Sequence, residues 1–405
     1  MQSEELKKMN YISIKNFGSI TEGYDGMLPV YPVTLFCGAQ GAGKSTVAKL
    51  VSTFVWIEKA LVRGDIPLNK KTESASFFRQ QCAFHRIQNY FKPKTEIHFN
   101  GTRFNFHYSA ETFTIESLSS TPDYLMPKIM YVPAERNFLT VVEHPETLKE
   151  IPDSLFVLYS EYDKALKSLR GQIELPIDGY ALQYDKLNNM TWLTGDGFKV
   201  RVSESASGFQ SLIPMSVVTQ YITHIIKTGR QASSNLQVTN TIEKRIAAIL
   251  ADNTIDENMR KLLINQQSAL LKYGKFVNIV EEPEQNLYPS SQRRILYDLF
   301  SSYNSIAGNQ LIITTHSPYL IDYTILAVKA AAIQPNSDDA KQRLEAIVPS
   351  ASRVFGKDVC VYQIQNGIIK DLEKFDDMPS DDNMLNHELN DTNELFAQLL
   401  ELEEQ

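Results

Sequence analysis

The sequence predicts an α/β fold, and three observations carry that expectation. An apolar run at 31–37 (YPVTLFC) ends in a glycine-rich loop that opens a helical stretch over 44–61, which reads as strand, loop, helix. Further on, the apolar strand FVNIV (276–280), a helical pattern over 290–303 and the strand QLIITTH (310–316) repeat the alternation expected where helices cover a sheet. Between these segments, residues 95–117 alternate at period two through an Asn100-Gly101 turn, which predicts an antiparallel meander beside the α/β part.

With 405 residues, 43% of them hydrophobic, the chain can bury a large core as one domain or as two closely joined lobes. Cys37, Cys82 and Cys360 lie far apart with no CxxC or Cys/His spacing, so neither a disulfide framework nor a zinc site is expected. That pattern fits a reduced, cytoplasmic setting. The N-terminal MQSEELKKMNYISIKN has no apolar signal core, and no stretch reaches the roughly 18 uninterrupted apolar residues of a spanning helix, so no membrane association is expected. The net charge of -8 is uneven: residues 371–405 hold twelve Asp/Glu against one Lys, a local charge of -11, and leave the rest at +3. The acidic total therefore leaves DNA open as a partner, because a basic stretch runs from Lys59 to Arg103. A solvated helical face is the simpler reading of that stretch.

Along the chain, residues 10–17 (NYISIKNF) alternate like a strand. Phe104, Phe106 and Tyr108 share one strand face; such a face can stack nucleobases, and packing on the core is the plainer expectation. Residues 152–171 read as a helix, 181–202 as two short hairpins turning at Asn188-Asn189 and Gly195-Asp196-Gly197, and 209–228 and 239–273 as helices. A last hairpin over 359–372 turns at Asn366-Gly367. From Asp376 a Pro/Asp/Ser-rich link leads to a short helix at 391–403 with Phe396, Leu399, Leu400 and Leu402 on an apolar side; the tail is expected to be a flexible tether whose helix docks on a partner or a neighbouring subunit. No heptad run is long enough for a coiled-coil arm.

The strongest chemical signal is GAQGAGKS, which fits G-x-x-x-x-G-K-[ST] between an apolar strand and a helix. In that arrangement Gly38, Ala39, Gln40, Gly41, Ala42 and Gly43, with Lys44, Ser45 and Thr46 at the helix start, turn backbone N–H groups around the phosphate oxygens of ATP. Lys44 reaches the β/γ-phosphates and Ser45 ligates Mg2+. Such a loop needs an acidic partner at a neighbouring strand end, and the carboxylates after FVNIV supply it: Glu281 to hold Mg2+ through water, Glu282 to polarise the attacking water. Standing alone, that pair would read as solvated. His316 follows the next apolar strand and is placed to contact the γ-phosphate; a lone histidine there would be structural. In SESASGFQS, Ser207, Gly208 and Gln210 sit at a second helix start able to hold an anion.

Taken in order, these elements resemble the motif set of the ABC superfamily: Walker A at 38–45, a degenerate signature at 206–210, Walker B at 276–282 and a switch histidine at 316, over most of residues 10–372. The resemblance implies an ABC-type P-loop ATPase head with a nucleotide-binding lobe from 1–140 and 276–372, a helical signature lobe at 141–275 and an acidic tail at 373–405. It also implies a homodimer or higher oligomer, since in that superfamily the signature of one protomer caps the ATP held by another. Within it, EEPEQNLYP at 281–289 is similar to the EEPE-x-x-L-x-P segment of OLD-like and RecF-like ATPases, as are NYISIKNFGSI near the start and MYVPAERN at 130–137. Arm-less ATPases of this branch serve prokaryotic anti-phage systems such as Septu, PARIS and certain retrons. The implied function is slow ATP hydrolysis that senses or scaffolds for a separate effector such as a nuclease. A RecF-like DNA clamp and a nucleotide-gated scaffold with little hydrolysis are the other two readings.

The chain departs from the pattern in three places. Glu281 stands where many ABC proteins carry Asp, ASGFQ lacks the leading leucine and second glycine of LSGGQ, and the glutamine loop has only Gln80, Gln81, Glu135 and Arg136 as candidates. OLD nucleases continue into a Toprim domain, whereas 89 residues follow His316 and the acidic cluster from Asp371 to Asp382 lacks the apolar strands of such a site. Any cutting chemistry is expected in the partner.

Overall fold

The computed structural model describes residues 9–118, 124–142, 150–229, 236–251 and 272–403, with isolated positions between 257 and 264. In chain order, β1 (Asn10–Phe17), β2 (Gly23–Tyr24), β3 (Leu28–Val30) and β4 (Val33–Cys37) precede helices α1 (Lys44–Arg63) and α2 (Ala75–Ala83). Next come β5 (Phe91–Asn100), β6 (Phe104–Ser109), β7 (Thr112–Ser117) and β8 (Pro127–Val132), then α3 (Phe138–Val141) and α4 (Asp153–Ser168). The middle of the chain forms β9 (Gln172–Glu174), β10 (Ala181–Asp185), β11 (Met190–Gly195) and β12 (Phe198–Arg201), followed by α5 (Ser207–Lys227) and α6 (Leu236–Ala251). The last third runs β13 (Lys275–Glu281), α7 (Pro289–Asn304), β14 (Gln310–Thr315), α8 (Pro318–Ala332), α9 (Asp338–Ile347), β15 (Val359–Gln365), β16 (Ile368–Asp371), β17 (Lys374–Phe375), β18 (Met378–Pro379) and α10 (Met384–Glu403).

A seven-stranded sheet in the order β2-β16-β15-β4-β14-β13-β8 forms the centre. Strands β15, β4, β14, β13 and β8 are parallel, and β16 turns back antiparallel on β15. Their sequences show no polar alternation because both faces are covered. On β4, Val33, Leu35 and Cys37 enter one core and Phe36 the other; on β14, Leu311 and Ile313 face the first and Ile312 the second. Side chains of α4, α5, α7 and α8 fill the first core. The second lies between the sheet, α1 and a five-stranded antiparallel sheet of order β3-β1-β5-β6-β7. There Phe54 of α1 sits with its ring centroid 5.0 Å from Phe78, 4.9 Å from Phe99 and 5.5 Å from Phe106. Phe106 and Tyr108 are buried in this core with Phe104 packed at its margin, so the aromatic strand face is packing surface.

Other parts depart from the simplest expectation. Leu158 of α4, Leu193 of β11 and Leu212 of α5 join the same cluster as Val33 and Ile313, so residues from 141–275 share a core with the flanking segments. The helix expected at 239–273 is described as α6 up to Ala251, and most of its remainder lies outside the described residues. The basic stretch is divided among α1, α2 and β5 rather than forming one face. Its first member, Lys59, is buried with its ammonium 4.8 Å from the centroid of the Tyr273 ring, and burial pulls that amine down to about 7.

The acidic tail is also less free than a tether. Residues Met378 and Leu385 pack on the first core, and Asn383 is buried, its Oδ1 accepting from the N–H groups of Leu385 and Asn386 at 3.1 Å each. That cap starts α10 at Met384, seven residues before the sequence pattern places the helix. Among the described residues no helix is long and apolar enough to cross a membrane.

Because Phe54 joins α1 to both β5 and β6, Phe54→Ala is expected to lower folding stability by about 3–5 kcal/mol, read as a reduced midpoint in urea unfolding at unchanged slope.

Candidate functional site

Parallel pairing sets Glu281 opposite Thr314, Thr315 opposite Cys37 and Val280 opposite Val132. Strands β4, β8, β13 and β14 consequently end at one edge, and the loops that leave them carry the P-loop, Pro133–Arg136, Glu282 and His316. In open α/β sheets the crevice outside the strand carboxyl ends is where ligands bind.

The glycines of the loop are required by shape. Gly38, Gly41 and Gly43 all have positive φ, and a Cβ on Gly38 would lie 2.3 Å from the Ile364 carbonyl oxygen of β15. Helix α1 then begins without a side-chain cap and without an acidic residue in its first turn, so its first N–H groups and positive end are available to an anion. Ala39, Gln40 and Gly41 are exposed at the loop tip, Ala42 and Ser45 are half-buried, and Thr46 is buried in the helix. These residues fit a nucleotide phosphate.

Lys44 is buried and its Nζ donates to the carbonyls of Gly38 at 2.8 Å and Ala39 at 2.9 Å. The same atom lies 3.2 Å from Nδ1 and 3.1 Å from Nε2 of His316. Since His316 Nε2 is also 3.0 Å from Glu282 Oε1, the consistent tautomer has Nε2–H donating to Glu282 and Nδ1 accepting from Lys44. Burial pushes the lysine amine down while Glu282 pulls it back. The His316 hydrogen bond in turn holds the Glu282 carboxyl below its ordinary range, which keeps it ionised at neutral pH.

Glu281 has a different environment. Its side chain is buried; Oε1 accepts from the Tyr131 hydroxyl, Oε2 from the Ala134 N–H at 3.1 Å, and Lys49 Nζ stands 3.7 Å from Oε1. With both oxygens already accepting, Glu281 fits a Mg2+ partner that acts through water beside Ser45, rather than a direct ligand.

Arg136 and Glu284 organise these groups. The guanidinium of Arg136 is fully buried and donates to the carbonyls of Glu281 and Glu282, each at 2.7 Å, and of Ser211 in α5 at 2.9 Å. Burial draws it down to about 10 against the opposing pull of Glu284, Glu282 and Glu281, so it remains charged at neutral pH. Glu282 itself has φ 43, a left-handed backbone that costs about 1–3 kcal/mol for such a residue. Arg136 on its carbonyl and the Thr314 carbonyl on its N–H, at 2.8 Å, hold it there. Glu284 Oε1 accepts from Thr315 Oγ1 at 2.7 Å and from the His316 N–H at 2.8 Å, which fixes the histidine backbone. Burial raises the Glu284 carboxyl above its usual range.

The structure therefore brings Lys44, Glu281, Glu282 and His316 to one strand edge. Ser207, Gly208 and Gln210 stand elsewhere, in the first turn of α5, which also lacks a side-chain cap. A Cβ on Gly208 would lie 2.7 Å from the Asn286 carbonyl in the loop after Glu282, and the Gln210 amide donates to the carbonyls of Ser203 and Ser205. Of the glutamine-loop candidates, Gln80 and Glu135 are exposed, Gln81 lines a cavity of about 220 Å3 with Trp56, His85 and Tyr131, and Arg136 is the buried bridge. Sequence reasoning missed Tyr131 and Glu284 and undervalued Arg136; the available signal was that PAER and the last glutamate of EEPE each follow an apolar strand.

This arrangement is a P-loop set at the carboxyl edge of a parallel sheet, with an antiparallel β part and a helical part packed against that sheet. A family model described as "AAA domain, putative AbiEii toxin, Type IV TA system" matches residues 268–322, the segment that carries Glu281, Glu282, Glu284 and His316. No curated protein sequence matches. Among solved structures, the SMC head domain from Thermotoga maritima is 8% identical with a TM-score of 0.38, the match covering 91% of this chain and 99% of that one. An SMC head bound to the C-winged helix domain of ScpA is 10% identical at a TM-score of 0.36, covering 90% and 97%. An ATP-binding cassette of an ABC transporter in its ADP conformation is 13% identical at 0.29, covering 89% of each chain.

Replacing Arg136 by Leu strips donors from buried carbonyls on two elements, so urea unfolding is expected to show a loss of roughly 3 kcal/mol or more. Arg136→Lys is expected to recover only part of it, because one ammonium cannot span the three acceptors of the planar fork.

Proposed function

We propose that the chain is a Mg2+-dependent ATPase that closes as a homodimer on ATP and, through that cycle, controls a separate effector protein. The contact of Lys44 with His316, and of His316 with Glu282, carries this reading: one side chain from the start of α1 and two from the loops after β13 and β14 meet within 3.2 Å. Bound beside Ser45 and, through water, Glu281, Mg2+ would neutralise phosphate charge as it develops. The ionised Glu282, oriented by the His316 Nε2–H, is the acceptor for a proton of the attacking water. Glu284 supports the reaction by holding the His316 backbone still, and Arg136 by fixing the strained Glu282 turn.

The uncapped first turn of α5, exposed at Ser207, supports the dimer, since its N–H groups can face phosphate held by a second protomer. An effector docking role suits α10, where Leu395, Phe396, Leu399, Leu400 and Leu402 are all exposed on a helix too polar to be stable without packing. The EEPE segment and the toxin–antitoxin wording of the matched family support placing that effector in prokaryotic anti-phage defence.

Glu282→Gln is expected to keep ATP binding, to lower steady-state phosphate release about a hundredfold or more, and to accumulate the ATP-bound dimer in sedimentation. Unchanged phosphate release would remove Glu282 from the role of base. Lys44→Ala is expected to lose ATP binding in isothermal titration. Deleting 384–403 should spare phosphate release and weaken assembly with the effector, read by mass photometry.

A further inference from the structure

The antiparallel sheet has a second face, turned away from α1. Its inner face carries Ile97 and Phe99 of β5 and Phe106 and Tyr108 of β6 into the core, so the alternate residues of the same strands point outward. On that outer face Glu96 and His98 of β5 stand beside His107 of β6, with His98 and His107 directly paired across the ladder. Their imidazole rings lie 3.9 Å apart and 14° from parallel. Glu96 Oε1 is 2.9 Å from His98 Nε2, and one potential ligand atom from each of the three residues lies within 4.8 Å of the others.

From this geometry we infer a binding site for a divalent transition cation of zinc type, held by His98, His107 and Glu96 on the outer face of the β5–β6 ladder. Two observations beyond the cluster itself support it. The Nε2 atom of His107 is closed off from solvent and has no hydrogen-bond partner among the described residues, an arrangement that is unfavourable unless something accepts or donates there. Coordination would satisfy it. Pairing also places Ser13 of β1 next to His98 and Thr114 of β7 next to His107, so the imidazoles are flanked by small hydroxyl residues, while Lys15 of β1 pairs with Glu96 and favours its ionised form.

The donor set selects the ion. Two imidazoles and one carboxylate suit Zn2+ and its neighbours Co2+, Ni2+ and Cu2+, whereas Mg2+ and Ca2+ prefer oxygen ligands. Tetrahedral zinc spaces its ligand atoms at about 3.3 Å, so the three side chains would have to draw closer than the 4.8 Å within which they now lie. Three protein ligands leave a fourth position to water. Each strand contributes at least one ligand, so the ion would also clip β5 to β6. The site shares no residue with the P-loop edge and stands independently of the ATPase reading.

The test uses the metal-stripped full chain with ZnCl2 in isothermal titration and CoCl2 in visible absorption. One Zn2+ per chain is expected, with imidazole-dependent Co2+ bands, and His98→Ala and His107→Ala are each expected to weaken zinc binding more than about tenfold. Both side chains are partly exposed, and circular dichroism of each variant establishes that it is folded. Glu281→Gln, which alters the nucleotide edge, should leave zinc binding unchanged. Zinc binding that is absent from the parent chain, that survives both histidine changes, or that is lost in Glu281→Gln would each overturn the assignment.

Discussion

The buried guanidinium of Arg136 is the constraint on which the site depends. It reaches the carbonyls of Glu281 and Glu282 at the end of β13 and that of Ser211 in α5, so one planar group fixes the acidic strand end and the helix whose first turn carries Ser207 and Gly208. A carbonyl at a strand end and one inside the first turns of a helix would both be unfavourable to bury without donors. Arg136 supplies them at the cost of its own desolvation, which the surrounding glutamates offset in part. Any displacement of the strand end is thereby felt at the helix, and the reverse. The acidic strand end and the first turns of α5 are joined by a single side chain.

Around that bridge the two carboxylates of the pair diverge in character although they are adjacent in sequence. Glu281 ends the strand, turned toward Tyr131 and Ala134 in a closed environment. Glu282 leaves the strand with left-handed backbone and meets His316 at the open edge. The change of direction at Glu282 gives the adjacent carboxylates two different environments, because a regular strand would have sent the second side chain to the opposite face of the sheet. Glu284, still farther along, is half-buried and accepts its hydrogen bonds from Thr315 and the His316 backbone. Three glutamates within four residues thus face three different surroundings.

Much of this is legible in the amino-acid sequence. The P-loop strand and helix, the meander and the hairpins at 181–202 and 359–372 are encoded by local period and turn chemistry, and the placement of Lys44, Glu281, Glu282 and His316 follows once the strands that precede them are parallel neighbours. What was not legible depends on pairing between distant segments. Nothing in PAER announces that Arg136 will meet Ser211, and His98 and His107 look unrelated until a ladder sets them side by side. The buried turn of the tail was hidden for another reason: its composition is that of a solvated linker, and only Met378, Leu385 and the Asn383 cap betray that it is held.

The position of β4 in the sheet has a consequence for how the molecule comes into being. The strand that launches the P-loop lies between β14 and β15, whose residues begin at Gln310 and Val359. Its neighbours are therefore made about 280 and 330 residues after it. During synthesis β4 must wait with both edges unpaired while the antiparallel meander, built from near neighbours, can already form. The first glycine of the loop takes its shape against the Ile364 carbonyl of β15. A P-loop seated against β15 is thus among the last features the chain completes as it leaves the ribosome, and a half-made copy lacks the strands on either side of it.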